Sequence, residues 1–250
     1  MRAIMRNGER FHYLDAGSGP VVVLQHALTT DASLYKANGM IDGLVAAGCR
    51  CIVPESVAHG RSTVPSERSR YNLAERTADL LAVLDDAGVD KCHFVGYSMG
   101  AWIGIGLLAL SPNRVSSALL GGWDPIAGAQ HFTPETTSER RAKSMEAYLR
   151  SDSGQVVLGG PVTEERLQGY ILSYLELFEP QPTLGTLADA QVPIAFYCGD
   201  RDPYRPNVQM AAEGLSATYH EAKGDHASAF RTPEFSRFAT EWLKECGAVA

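Results

Sequence analysis

Residues 91–110 read KCHFVGYSMGAWIGIGLLAL, and the five at their centre, Gly96-Tyr97-Ser98-Met99-Gly100, decide how the rest of the chain is read. Lys91–Gly96 has the short apolar run of a buried strand, and Ser98–Leu110 reads as the helix that follows it. A G-x-S-x-G turn between strand and helix lifts the serine above the sheet on a strained bend. Its glycines let the two elements approach closely. The helix N-terminus behind the serine points N–H groups and the positive end of a dipole at developing negative charge. Small residues in such a turn also serve packing alone; the strand–turn–helix context favours a nucleophile.

Outward from this turn, apolar runs alternate with amphipathic stretches. That is the pattern of an α/β fold, a mostly parallel sheet flanked by helices. Arg2–Arg6 and Arg10–Asp15 read as strands joined through Asn7-Gly8, a good hairpin turn. Val21–Gln25, Arg50–Pro54, Val115–Leu120, Val192–Cys198 and Ala217–Glu221 read as further strands. Ala32–Ala47, Asn72–Ala87 and Pro233–Cys246 read as helices, the first two closed by Gly48 and Gly88. After Trp123 the rhythm changes. Thr137–Arg150 is polar and helix-prone, and Leu167, Tyr170, Ile171, Tyr174, Leu175 and Phe178 mark one broad apolar helix face. The expected organisation is a core of residues 1–123 and 191–250, with a helical cap inserted at 124–190.

A serine hydroxyl needs a base to take its proton, and the base needs a third group to orient it. On such a sheet the expected chain order is serine, acid, histidine. Of the histidines after Ser98, His131 lies at the start of the insertion and His220 inside a strand, and both read as structural or solvent-facing. His226, in Gly224-Asp225-His226 just after the last strand, is the expected base. For the acid, Asp202 in Cys198-Gly199-Asp200-Arg201-Asp202-Pro203 is preferred. Asp200 could instead cap that loop, and Asp124 in Trp123-Asp124-Pro125 is the alternative on the preceding strand.

The oxyanion formed at Ser98 needs two N–H donors, and the backbone amides of Met99 and Leu28 are the candidates. Leu28 belongs to Gln25-His26-Ala27-Leu28 after the third strand. Trp123, His26 and Tyr97 are candidate pocket residues, although His26 also reads as a loop-shaping hydrogen-bonder. Trp102 is a further aromatic beside the nucleophile.

Composition narrows the remaining classes. The net charge is −7 without a Lys/Arg run, which argues against nucleic acid as a partner. Five cysteines (Cys49, Cys51, Cys92, Cys198, Cys246) with no C-x-x-C pair suggest reduced thiols, not a disulfide framework or a zinc cluster. No stretch reaches the roughly 18 apolar residues of a membrane span, and MRAIMRNGERFHY has no apolar signal core. A cytoplasmic enzyme without metal or organic cofactor is expected, acting on a small molecule; nothing decides its oligomeric state.

With these pieces placed, the chain resembles the α/β-hydrolase superfamily, in its small esterase and lactonase branch. The matching stretches are VVVLQHAL, IVPESVAHGRS, FVGYSMGA, VPIAFYCGDRDP and GDHASAF, in the family's order. The resemblance implies a Ser98–His226–Asp202 triad that hydrolyses a carboxylic ester or lactone through an acyl-enzyme. Three departures stand out. His26-Ala27 replaces the usual His-Gly, Glu55 the usual Asp, and Ala58-His59-Gly60 the usual Gly-His-Gly. Glu55 and His59 therefore read as structural. The cap carries no known motif, so the resemblance says more about mechanism than about substrate. The same residues could also serve a cofactor-free C–C hydrolase or lyase, or a small-ligand sensor with weak turnover.

Overall fold

The computed structural model describes residues 1–131 and 137–249, the side chain of His131 excepted. The reading of His131 as structural or solvent-facing therefore falls outside the described residues. Eight strands form one sheet in the order β1-β2-β4-β3-β5-β6-β7-β8. They are β1 (Arg2–Arg6), β2 (Glu9–Gly17), β3 (Val21–Gln25), β4 (Arg50–Glu55), β5 (Cys92–Tyr97), β6 (Val115–Gly121), β7 (Ile194–Gly199) and β8 (Thr218–Ala222). β1, β2 and β4 pair antiparallel, and every pairing from β4 through β3 to β8 is parallel. The β1–β2 hairpin closes at Asn7 and Gly8, both with positive φ, as a tight two-residue turn demands.

Helices cover both faces because the strands are apolar on both. On one face Val23 and Phe94 pack against α3 (Leu73–Asp86), α4 (Met99–Leu110), α8 (Leu184–Asp189) and α9 (Arg205–Leu215). On the other, their strand neighbours Val22, Leu24 and Val95 pack against α1 (Ala32–Ala37), α2 (Met40–Ala46) and α11 (Pro233–Glu245). The alternation follows from the two-residue period of a strand. α4 is apolar on all sides and buried from Met99 to Leu108, which holds the turn in front of it rigidly.

Two expectations need correction here. Ala32–Ala47 is not one helix: the chain breaks at Asn38-Gly39, where Gly39 has φ 74°, so α1 and α2 are separate short pieces. The strand expected from Val192 begins only at Ile194, after Pro193, which has no amide to give to a ladder. Between β6 and β7 the described residues form a 3₁₀ turn (Gly128–His131) and α5 (Ser138–Arg150), α6 (Asp152–Leu158), α7 (Glu164–Glu176) and α8. Met145 and Leu149 of α5 pack on Leu167, Tyr170, Ile171 and Leu175, in a cluster that reaches Leu28.

Candidate active site

Ser98 stands between β5 and α4 with φ 55° and ψ −118°, a conformation that costs a non-glycine residue about 1–3 kcal/mol. Two backbone hydrogen bonds hold the bend. The Ser98 amide donates to Gly121 O at 2.8 Å, and the Trp102 amide donates to Ser98 O at 3.0 Å. The two glycines are there for close approach: a Cβ at Gly96 would lie 2.5 Å from the Gly100 backbone, and one at Gly100 only 2.1 Å from Gln25 O.

His226 does not sit in a loop, as expected, but opens the short helix α10 (His226–Arg231). Asp225 caps that helix and Ser228 returns the bond, which starts the helix earlier than an apolar pattern would suggest. His226 Nε2 lies 3.0 Å from Ser98 Oγ, and Nδ1 lies 2.8 Å from Asp202 Oδ2. A carboxylate only accepts, so Nδ1 carries the proton and Nε2 turns its lone pair to the serine hydroxyl. The Asp202 side chain is fully buried, and its Oδ1 accepts from the Tyr204 amide at 3.0 Å. The Tyr97 hydroxyl donates to the His226 carbonyl at 2.8 Å, and its ring stacks on Phe230 of α10. These contacts fix the imidazole's height over the sheet.

The other candidates are engaged elsewhere. Asp124 Oδ1 accepts from the Ile126 and Ala127 amides, and its Oδ2 accepts from Asn207 Nδ2. Asp200 accepts from the Gly224 amide and pairs with Lys223, which closes the loop. His220 pairs with Glu234 and packs its ring against both Tyr197 and Phe238, which also touch each other.

Leu28 lies on the wall of the cavity in front of Ser98, and Met99 opens α4, where first-turn amides have no intrahelical acceptor. The loop that carries Leu28 is latched twice. His26 Nε2 accepts from the Ser56 amide and its Nδ1 is 2.9 Å from Ala27 O. His59 Nε2 accepts from the Thr29 amide and its Nδ1 is 2.8 Å from Val57 O. Each histidine thus needs the neutral form with the proton on Nδ1. Both are fully buried; burial pulls His26 down to about 4 and holds His59 well below the usual imidazole range.

Because the folded pKa lies below the unfolded one, the unfolded state takes up more protons as pH falls. Stability is full above about pH 6.5 and is lost below it, by about 2 kcal/mol at pH 5 for His26 alone. Urea unfolding at pH 7.5 and pH 5 should show this loss, and His26→Gln should flatten the slope. A slope unchanged by the substitution would assign the acid sensitivity elsewhere.

The cavity in front of Ser98 measures about 240 Å³. Tyr97 and Trp123 line it together with Leu28, Tyr174, Leu177 and Tyr204. His26 does not, contrary to its reading as a pocket residue: it is spent behind the wall as a latch. Trp102 is buried in α4, against a separate groove. Met145, Tyr148 and Val157 from α5 and α6, and Arg231 at the end of α10, also reach the cavity. Sequence reasoning missed these four, and with them Leu177, Tyr204 and Phe230, because nothing local marks which residues of the β6–β7 segment, or of the segments after β7 and β8, face a distant turn. A larger groove of about 460 Å³ lies at the opposite strand ends, near Ile194 and Thr218, and is remote from Ser98. Among the described residues no group of three His, Cys, Asp or Glu side chains could hold a metal ion. None of their helices is long and apolar enough to cross a membrane.

The chain is similar to several known proteins. A family model for the alpha/beta hydrolase fold matches residues 20–152. A relative from Mycobacterium phage D29, named for a non-heme haloperoxidase, is 30% identical over 258 residues, covering 93% of this chain and 90% of its own. Epoxide hydrolase A of Mycobacterium tuberculosis is 31% identical over 118 residues, 46% of this chain, and that match spans only 36% of its own length. Among solved structures, the enol-lactonase from Burkholderia xenovorans LB400 superposes with a TM-score of 0.77 at 20% identity, covering 97% of this chain and 100% of that one.

Proposed function

The chain belongs to the alpha/beta hydrolase fold family, and from that premise we propose that it is a serine hydrolase that cleaves a carboxylic ester or lactone of a small molecule. The observation that carries this reading is the run of hydrogen bonds from Ser98 through His226 to Asp202, at the edge of a mostly apolar cavity.

In this reading His226 Nε2 takes the Ser98 proton as Oγ attacks the carbonyl. Asp202, which already holds Nδ1–H, stabilises the imidazolium without taking its proton. The Leu28 and Met99 amides receive the oxyanion, each donor worth roughly 3–4 kcal/mol of barrier. His226 then returns the proton to the leaving oxygen, and water, activated by the same imidazole, releases the acyl group from Ser98. The insertion between β6 and β7 acts as a cap, since Met145, Tyr148 and Val157 close the cavity from that side.

The test is hydrolysis of p-nitrophenyl esters of increasing acyl length by the wild type and by Ser98→Ala. A cavity of about 240 Å³ should produce a rate optimum at short to medium acyl chains, lost in the variant. Absence of Ser98-dependent turnover at every length would move the proposal to C–C bond cleavage or ligand sensing on the same residues.

A further inference from the structure

We propose that the site selects an ester or lactone that carries a carboxylate, and that Arg231 holds this group at the mouth of the cavity; the inference rests on the serine-hydrolase reading above. Arg231 ends α10, the helix that His226 begins, and it lies on the cavity wall yet is exposed to solvent. It therefore stands where the cavity opens to solvent. Among the described residues it has no ion-pair partner, whereas most other arginines at or near the surface are paired with acids.

Among the described residues of the wall, the guanidinium is the one cationic group, with the tyrosine hydroxyls of Tyr148 and Tyr174 as neutral donors on the same wall. Among the described residues, Arg231 is the one Lys, Arg, Asp or Glu that lines the cavity. Thr29 and Thr30 also face it, but their hydroxyls donate to Leu28 O at 2.6 Å and Ala27 O at 2.9 Å. Those donors serve the loop, not a ligand. A planar guanidinium fits a carboxylate through two parallel hydrogen bonds.

Position supplies the length of the substrate. His226 and Arg231 are five residues apart on one helix, about 7.5 Å along its axis. A carbonyl at Ser98 and a carboxylate at Arg231 are thus several bonds apart, as in a half-ester of a short dicarboxylic acid or a lactone that bears a short carboxylate arm. The protein is net negative at −7, so its overall field opposes an anionic substrate, and a local cation at the mouth offsets this where entry occurs.

A cation in the last turn of a helix also meets the negative end of its dipole. Lysine would serve that role equally, so it separates the two explanations. The experiment compares mono-p-nitrophenyl glutarate with p-nitrophenyl pentanoate, matched in length, for the wild type, Arg231→Gln, Arg231→Lys and Arg231→Glu. The wild type should prefer the anionic ester in kcat/KM. Arg231→Gln should reduce that preference roughly ten- to a hundredfold, the range of a hydrogen bond to a charged group, mainly through KM. Arg231→Lys should retain only part of it, and Arg231→Glu should reverse it.

Equal losses on both esters in Arg231→Gln, or a wild type that favours the neutral ester, would overturn the assignment. Calorimetric binding of monomethyl glutarate and dimethyl glutarate to Ser98→Ala keeps the test independent of turnover. Tighter, Arg231-dependent binding of the monoanion supports the carboxylate site even where no ester is hydrolysed. Equal binding of the two rejects it, whatever becomes of the hydrolase reading.

Discussion

Ser98→Ala and His226→Ala should each lower kcat on a p-nitrophenyl ester by roughly a millionfold, and the double variant should be scarcely worse than either. The reason is their single hydrogen bond of 3.0 Å. Without His226 the hydroxyl keeps its proton, and without Ser98 the imidazole has no nucleophile to activate. On the proposed mechanism, what remains in each case is the same pair of amide donors and the same cavity. Michaelis–Menten kinetics of the three variants on one substrate check this. Losses that multiply in the double variant would mean that the two residues act independently, and would remove the basis for an acyl-enzyme on Ser98.

Asp202→Asn should cost roughly ten-thousandfold in kcat while leaving the fold intact, and Asp124→Asn should retain most activity. The hydrogen bonds already present dictate this outcome. Asp202 Oδ1 accepts from the Tyr204 amide, so the oxygen of an introduced Asn stays there and its NH₂ turns to His226 Nδ1. That forces the proton onto Nε2, where it faces Ser98 Oγ, and the base loses its lone pair. At position 124 the carboxylate accepts from two backbone amides and from Asn207. An Asn can keep the first two while the Asn207 amide flips to accept. Steady-state rates of both variants, with thermal unfolding to verify folding, decide the matter. The opposite pattern would move the acid to the turn after β6.

Much of this molecule was legible before its coordinates. The alternation of apolar and amphipathic segments specified a parallel sheet covered on two faces, because strand and helix periods are properties of the local chain. The same holds for Ser98, whose five-residue turn is local. That His226 and Asp202 come to the same edge as Ser98 follows from their place after particular strands, since parallel strands bring their C-terminal ends to one edge. The misreadings were also local. The break at Asn38-Gly39 lies inside a run of helix-compatible residues. The helix that begins at His226 depends on the reciprocal bonds between Asp225 and Ser228.

Other features existed only once distant segments had met. His26 and His59 read singly as loop residues, yet each accepts an amide from the other's loop, a pairing set by the adjacency of β3 and β4. The choice between Asp202 and Asp124 rests on which carboxylate reaches an imidazole, a matter of a few ångströms across neighbouring strands. The cavity wall is the clearest case. Met145, Tyr148, Val157 and Arg231 lie 47 to 133 positions from Ser98 in the chain, and only the packing of α5, α6 and α10 assembles them. Local periodicity encodes which elements form; the volume and charge left between them depend on side chains that share no local pattern, and so belong to the folded state alone.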